Sequence, residues 1–206
     1  MNALELLKEQ HREVDSLFKK FQRAKSTEEK EKIFLEIASR LVGHDAIERE
    51  IFYPECEKAL GSSEKLLEGI AEHGLMEFSL FRADKARKKP TFDYLVRVLA
   101  EIVEHHVAEE EREILPKAGR KMGNALLERL GESMLERFDT AMARDFRRPL
   151  RQNLEQVLAG RARTTPPKRA ARPARRKRIT TGTPRKAAAG TKRAGRRKSS
   201  ARERAD

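Results

Sequence analysis

The sequence of 206 residues has little of several residue types that characterise other classes of protein. Its one cysteine, Cys56, excludes an intrachain disulfide framework and any zinc or iron–sulfur site built from four thiolates. Tryptophan is absent, and aromatic residues make up 5% of the chain. A core with so few aromatic side chains depends on Leu, Ile, Val, Met and Phe, which favours helices over a β-sandwich.

Long apolar runs are also missing. None approaches the length of a membrane span, and the opening residues MNALELLKEQ lack the apolar segment of a secretion signal. We therefore expect a cytoplasmic protein without a membrane span.

Charge is distributed unevenly, although the formal net charge of the whole chain is +13. Residues 161–206 contain 18 Lys and Arg against 2 Asp and Glu, whereas residues 1–160 contain 28 basic and 31 acidic residues. Such a segment cannot bury enough apolar surface to offset the entropy of ordering, so we predict a disordered basic tail. A flexible polycation binds DNA or RNA through its phosphates, without sequence preference, and would associate the protein with the nucleoid. One alternative is a solvated tail with no dedicated partner. Another is binding to an anionic membrane surface, which the lack of an apolar anchor disfavours.

The rest of the chain, over positions 1–160, shows apolar residues at helical spacing, interrupted by short breaks. Four long helices joined by short loops predict an all-α, up-down four-helix bundle over residues 1–117. Additional C-terminal helices follow over 118–160, ahead of the disordered basic tail. We expect Pro54 to end or bend the second helix. Five phenylalanines are predicted to lie in the core: Phe18, Phe34, Phe52, Phe78 and Phe81.

An internal repeat relates four of the five histidines. A single constant shift along the sequence aligns HDAIEREIFYP with HVAEEEREILP without a gap. The shift superposes His11 on His73, His44 on His106, Glu48 on Glu110, and Pro54 on Pro116. A repeat of this kind predicts two similar helical hairpins, which would bring one histidine from each of four helices towards a common centre.

Each repeat contains a histidine followed four residues later by a glutamate, at His44 and Glu48 and again at His106 and Glu110. This spacing puts both side chains on one helix face, about 6 Å apart at Cβ, so both can reach one metal cluster. Imidazole and carboxylate ligands without thiolate suit iron, manganese or zinc. Carboxylates can also bridge two cations, as they do in bundle cores. A single histidine on such a face is usually just packed, but a repeated set favours a metal site.

The pattern formed by His11, His44-x-x-x-Glu48, His73 and His106-x-x-x-Glu110 resembles the hemerythrin-like, or HHE cation-binding, domain family. The resemblance covers residues 3–117 and includes the flanking segments LLKEQHREVDSLF, EIFYP and EILP. It implies a non-haem di-iron centre in which Glu48 and Glu110 bridge the metals and the four histidines are terminal ligands. It also implies that O2, or sometimes NO, binds at an open iron position.

One departure from the family pattern affects the expected ligand. Oxygen-carrying hemerythrins usually have a further histidine where this chain has Glu77, and a final aspartate at a spacing of five. The ligands above, with one bridging oxygen, would fill about 10 of the roughly 12 positions around two six-coordinate irons. Dioxygen carriage is therefore less favoured than sensing, iron handling, or peroxide and NO chemistry. Alternatively, Glu77 or Tyr53 fills one of the open positions.

The remaining polar residues near the pattern have less specific interpretations. His105 is expected to be a partly exposed neighbour of a ligand, although its spacing to Glu109 also equals four. Three further glutamates are interpreted as solvated charges or as hydrogen-bond partners of the ligand imidazoles: Glu50, Glu111 and Glu113.

Three functional hypotheses follow. The first is a metal-binding protein, rather than an enzyme, whose di-iron centre binds or senses O2, NO or peroxide. The second is a di-iron redox enzyme for peroxide breakdown or repair of iron centres. The third is a nucleoid-associated DNA-binding protein in which the bundle is a scaffold for the tail.

Overall fold

The computed structural model describes residues 1–61 and 63–160, so the predicted basic tail lies outside the described residues. The described residues form helices and no strands, which confirms the predicted all-α class. The helices are α1 (Ala3–Arg23), α2 (Thr27–Ile47), α3 (Tyr53–Leu60), α4 (Glu64–Ala86), α5 (Phe92–Glu109), α6 (Leu115–Lys121), α7 (Asn124–Met142) and α8 (Arg147–Leu158).

The helices begin where short polar residues can satisfy free backbone N–H groups. The side chain of Asn2 accepts from the backbone of Leu4 and Glu5 at the start of α1. Ser26 caps α2 in the same way, and Ser63 caps α4. The predicted starts of these helices are therefore set by local hydrogen bonding.

Pro54 was expected to end or bend the second helix, and the helix does not end there. A five-residue π-helical turn, Glu48–Phe52, links α2 to α3, and the helix continues to Leu60. The wider turn lets Pro54 follow in the first turn of α3, where a missing N–H is tolerated. A second π-helical turn, Glu110–Ile114, links α5 to α6 at the equivalent point of the repeat.

Four long helices make up the bundle: α1, α2 with α3, α4, and α5 with α6. Helix α1 packs against α2 and α4 against α5, and the two hairpins meet where α1 contacts α5 and α2 contacts α4. Helix α7 lies against α1 and α2, and helix α8 lies against α4. This arrangement confirms the four-helix bundle with additional C-terminal helices.

The apolar core forms two clusters, separated by a layer of buried polar residues. Along α1, Leu7 belongs to one cluster and Val14 to the other, with His11 between them. Each of the other three long helices also contributes to both clusters, with one histidine between them: His44, His73 or His106. The fold therefore brings one polar position of each helix to a single level of the bundle.

Phe78 departs from its predicted place in the core. Its side chain is half exposed on α4, where the guanidinium of Arg82 lies 5.8 Å from the ring centroid. Phe18, Phe34 and Phe52 are buried as predicted. None of the helices in residues 1–61 and 63–160 is long and apolar enough to cross a membrane.

Candidate metal centre

Four imidazoles converge in the polar layer, in two pairs. Nε2 of His11 lies 3.2 Å from Nε2 of His44, and Nε2 of His73 lies 3.2 Å from Nε2 of His106. All four rings are buried. Two donors at right angles on one ion, each about 2.1 Å from it, would be about 3 Å apart, so each pair has the separation of neighbouring metal ligands.

Glu48 contacts both histidine pairs with different oxygens. Its Oε1 lies 3.3 Å from Nε2 of His44, and its Oε2 lies 3.2 Å from Nε2 of His73. Glu110 approaches from the π-helical turn after α5, with Oε2 3.3 Å from Nε2 of His11. Glu48 thus lies between the imidazole pairs, which is the placement of a group that bridges two cations.

The donor atoms form two overlapping groups, each compact enough to hold a metal ion. In each group, the donor atoms all lie within 4.8 Å of one another. The first group is His11, His44, Glu48 and Glu110, and the second is Glu48, His73 and His106. All six residues predicted as ligands therefore meet at one place, and Glu48 belongs to both groups.

Buried oxygens without hydrogen-bond partners indicate that the centre is built for cations. Both carboxylate oxygens of Glu48 and of Glu110 are buried and make no hydrogen bond in the described structure. The short contacts to imidazole nitrogens are therefore not directed hydrogen bonds. An ionised carboxylate buried in this way is costly unless it is paired or coordinates a metal, and a bridging role for both groups fits this requirement.

Each ligand imidazole also has an oxygen on its outward side, with Nδ1 as the donor. These contacts join His11 to Glu111 at 2.8 Å, His44 to Gln10 at 2.8 Å, His73 to Asp45 at 2.5 Å, and His106 to Glu72 at 2.8 Å. Because carboxylate and amide oxygens accept, Nδ1 carries the proton and Nε2 presents its lone pair to the centre. Two lone pairs held so close together repel unless a positive charge lies between them.

Glu111 therefore proves to be a partner of a ligand imidazole, while Glu50 and Glu113 form other pairs. Glu50 accepts two hydrogen bonds from Arg137 on α7. Glu113 pairs with Lys117 on the same helix.

The partners Gln10, Asp45 and Glu72 were missed by the sequence analysis. Gln10 and Glu72 occupy equivalent positions of the repeat, each directly before the first ligand histidine, and each bonds the second ligand histidine of its own hairpin. That shared position was a signal that the repeat could have revealed.

The pKa values of the cluster show how its charges depend on one another. Burial acts to raise the pKa of Glu48, but the charges of His44 and His73 hold it well below the usual range. Burial acts to lower the pKa of His11, but interaction with Glu110 and Glu48 raises it to about 9. Without a metal, protons would supply the positive charge that the carboxylates require, so metal ions and protons compete for the same nitrogens.

The additional residues considered as ligands have different surroundings. Glu77 is buried but belongs to neither donor group; its Oε1 lies 3.2 Å from Nη2 of Arg49. The hydroxyl of Tyr53 is buried 3.3 Å from Nε2 of His73, on the side of the centre. The side chain of His105 is 67% exposed and lies 3.4 Å from Glu72, away from the six converging residues.

A small cavity adjoins the imidazoles on the side away from the carboxylates. Its volume is about 30 Å³, room for a diatomic molecule or one to two waters. The exposed surface of the cavity is mostly apolar and includes Val14, Val42, Leu80 and Val103. The four imidazoles also line it, together with Gln10, Asp45 and Glu77. The cavity suits a small, weakly polar ligand.

Comparisons with known proteins agree with this geometry. The family model of the hemerythrin HHE cation-binding domain matches residues 2–118. Among solved structures, the chain is similar to a hemerythrin HHE cation-binding domain-containing protein from Mycobacterium kansasii, with 26% sequence identity and a TM-score of 0.62. The likeness covers 80% of this chain and 99% of that chain, so it extends beyond the residues of the family match. No curated protein matches the chain.

Proposed function

Because the chain belongs to the hemerythrin HHE cation-binding domain family, it binds metal cations, and we propose that its centre holds two iron ions and binds or senses O2, NO or peroxide. The observation that carries the proposal is the position of Glu48. Its two oxygens lie against different histidine pairs and have no hydrogen-bond partner. A pair of cations bridged by this carboxylate would satisfy both oxygens at once.

The kinds of donor atom favour iron while leaving manganese and zinc as competitors. Four imidazoles and two carboxylates, without thiolate, suit all three metals. Iron is proposed because the ligand pattern is that of the hemerythrin-like di-iron proteins. Bound iron would supply the electrons for combination with O2, NO or peroxide. The protein would contribute the orientation of the imidazoles, fixed by their Nδ1 contacts, and the exclusion of bulk water.

The surroundings of the centre support a small ligand. The apolar cavity beside the histidine rings would admit a diatomic molecule and disfavour ions. Because Glu77 replaces the further histidine usual in oxygen carriers and pairs with Arg49, it would leave a metal position open. The metal position that Glu77 would leave open supports ligand binding. A second open position on the metals would argue against protected O2 storage.

The test compares two neighbouring histidines. Anaerobic loading with ferrous iron should give about two irons per wild-type chain, and admission of O2 or NO should produce new absorption bands. His106→Ala should lose at least one iron, because His106 belongs to the buried donor group with Glu48 and His73. His105→Ala is the matched control and should bind iron like the wild type, because His105 is exposed. Equal iron content in both variants, or none in the wild type, would contradict the proposal.

A redox enzyme is the second candidate, and Glu77 is the observation that favours it. This carboxyl lines the cavity and has two buried oxygens without hydrogen-bond partners. A group so placed can hold a proton beside a bound peroxide, whose disproportionation converts two H2O2 into two H2O and one O2. Evolution of O2 from peroxide by the iron-loaded wild type, strongly reduced in Glu77→Gln, would favour the enzyme. A wild type without turnover would favour the binding protein. Repair of iron centres would instead require transfer of iron to a damaged acceptor protein.

The basic residues 161–206 are proposed to bind DNA or RNA through phosphate contacts. Their charge, with 18 basic and 2 acidic residues, supports binding that weakens steeply with salt. Retardation of DNA by the full chain, lost on removal of residues 161–206, would support this role. If retardation survives the removal, the tail is not the binding segment. Retardation at low salt, with iron content unchanged by the removal, would support the nucleoid-associated alternative.

A further inference from the structure

The hydrogen-bond partner of His73 breaks the symmetry of the repeat. His11 bonds Glu111, the residue that directly follows the carboxylate ligand Glu110. The equivalent partner for His73 would be residue 49, but this position is an arginine, which has no acceptor. Asp45 takes the role instead, with Oδ1 at 2.5 Å from Nδ1 of His73.

Asp45 is itself held by groups from two directions. Arg49 donates to Oδ1 at 2.9 Å from the same stretch of helix. Asn153 donates to Oδ2 at 3.1 Å from α8. Two oxygens on one rigid carboxylate thus connect the ring of His73 to α8.

Helix α8 is attached to the bundle independently of Asn153. Arg147 forms a bidentate ion pair with Asp84 of α4, with both N–O distances 3.1 Å. Leu150 and Leu154 are buried in the core cluster that contains Val14. Near its end, α8 approaches α4 so closely that a Cβ at Gly74 would lie 3.2 Å from Cγ1 of Val157. These contacts fix the position from which Asn153 reaches Asp45.

We propose that α8, which lies outside the family match, is a working part of the metal centre: Asn153 is a positioning residue that orients Asp45 and, through it, His73. Docking of α8 and metal binding by the His73 and His106 pair are then coupled, and the coupling acts equally in both directions. Loss of α8 from the bundle weakens that half of the centre, and metal binding there tightens α8. The proposal rests on the metal-binding site and not on which gas or peroxide binds.

The first test is Asn153→Leu, which keeps the size of the side chain and removes its N–H donors. Loss of an outer hydrogen-bond partner typically weakens metal binding 10- to 100-fold. We expect a loss of about 10-fold for one of the two metal ions, measured by anaerobic chelator competition with Fe²⁺ or Co²⁺, and wild-type affinity for the other. Gln152→Leu is the matched control, because Gln152 is exposed on the same helix. Unchanged affinity for both ions would overturn the proposal, and equal weakening of both would indicate a general structural defect.

The path of the effect can be tested with a second background. If Asn153 acts through Asp45, then Asn153→Leu should weaken metal binding much less in an Asp45→Asn chain than in the wild type. Additive losses in the double variant would show that Asn153 acts by another route and would overturn the assignment.

The second test uses the unaltered chain and therefore does not depend on a variant that folds. Hydrogen exchange of the amides in Arg147–Leu158 should slow on metal loading, with whichever of iron, cobalt or zinc binds. Exchange of α8 that does not respond to metal would overturn the coupling. This result is separate from the proposed function, because a chain that binds metal but not O2, NO or peroxide would still give the slowing.

Discussion

The phenol oxygen of Tyr53 lies 3.3 Å from Nε2 of His73, the nitrogen that faces the metal centre. The repeat places Leu115 at the equivalent position of the second hairpin, so the contact exists on one side only. Burial, together with the charges of Glu110 and Glu48, raises the pKa of Tyr53 well above its usual value. The hydroxyl is therefore protonated and can donate to an acceptor in the centre.

Replacement of this hydroxyl tests its role directly. Tyr53→Phe should retain two metal ions, because the six converging His and Glu side chains are unchanged. It should lower the free energy of unfolding by about 1 kcal/mol through loss of one hydrogen bond. Absorption spectra of the ferric protein provide the check. A tyrosinate-to-iron band in the wild type that disappears in Tyr53→Phe would instead make Tyr53 a ligand.

The stability of the metal-free protein should fall as pH rises. The folded pKa of His11 is about 9 and that of His73 about 10, against 6.5 for a free imidazole. A histidine whose pKa is raised in the folded protein contributes fully to stability below pH 6.5. This contribution is lost as pH rises through the folded pKa values. Urea unfolding of chelator-treated protein across this range measures the decline. A flat or rising profile would contradict the assignment.

The metal-loaded protein should lack this decline over the same range. Imidazoles must lose their protons to bind metal, so metal affinity rises with pH and adds more to stability. Calorimetry in buffers of different ionisation enthalpy should detect protons released on loading. Loading without proton release would mean that the nitrogens of His11 and His73 are already free.

Glu77 should cause a separate loss of stability as pH rises, over a lower pH range than the histidines. Burial and the neighbouring charge of Asp45 raise its pKa to about 7 from 4.5. For an acid whose pKa is raised in the folded protein, the favourable contribution to stability is present below pH 4.5 and is lost as pH rises through 7. The loss should be on the order of 1–3 kcal/mol. Glu77→Gln should remove this part of the profile in urea unfolding, and an unchanged profile would exclude Glu77 as its source.

Packing of α7 against the chain start should tolerate no side chain at Gly131. A Cβ there would lie 2.5 Å from the carbonyl oxygen of Met1, and backbone atoms cannot move aside as a flexible side chain can. Gly131→Ala should lower the free energy of unfolding by about 1–3 kcal/mol. Gly123→Ala, where nothing lies within 4 Å, is the control and should change it by less than about 1 kcal/mol. Equal effects in thermal unfolding would contradict this account.

The six converging side chains could be predicted because they follow a repeat that is visible in one dimension. Helical spacing places Glu48 one turn after His44, and the repeat carries this arrangement into the second hairpin. Once the bundle forms, pairing of α1 with α2 and of α4 with α5 brings the polar positions to one level. Local periodicity and repeat symmetry were sufficient for the six converging side chains.

The surroundings of the ligands were harder to predict because they depend on contacts between helices. Asp45 bonds His73 from a different helix, and Asn153 reaches Asp45 from α8, although the two are far apart along the chain. No spacing rule connects such positions. Whether the helix ends or only bends at Pro54 could not be decided for a different reason, since helix-breaking rules assume α-helical hydrogen bonds on both sides of the proline.

The widened turns at Glu48–Phe52 and Glu110–Ile114 give each ligand helix one surplus residue. Such turns are rare, and they are frequently found at functional sites. Because they occur at matching points of both hairpins, local helix energetics do not determine the backbone conformation at these turns. Shortening either turn by one residue would rotate everything after it by about 100° around the helix axis. The end of the bundle beyond the carboxylates would then have to repack against different neighbours.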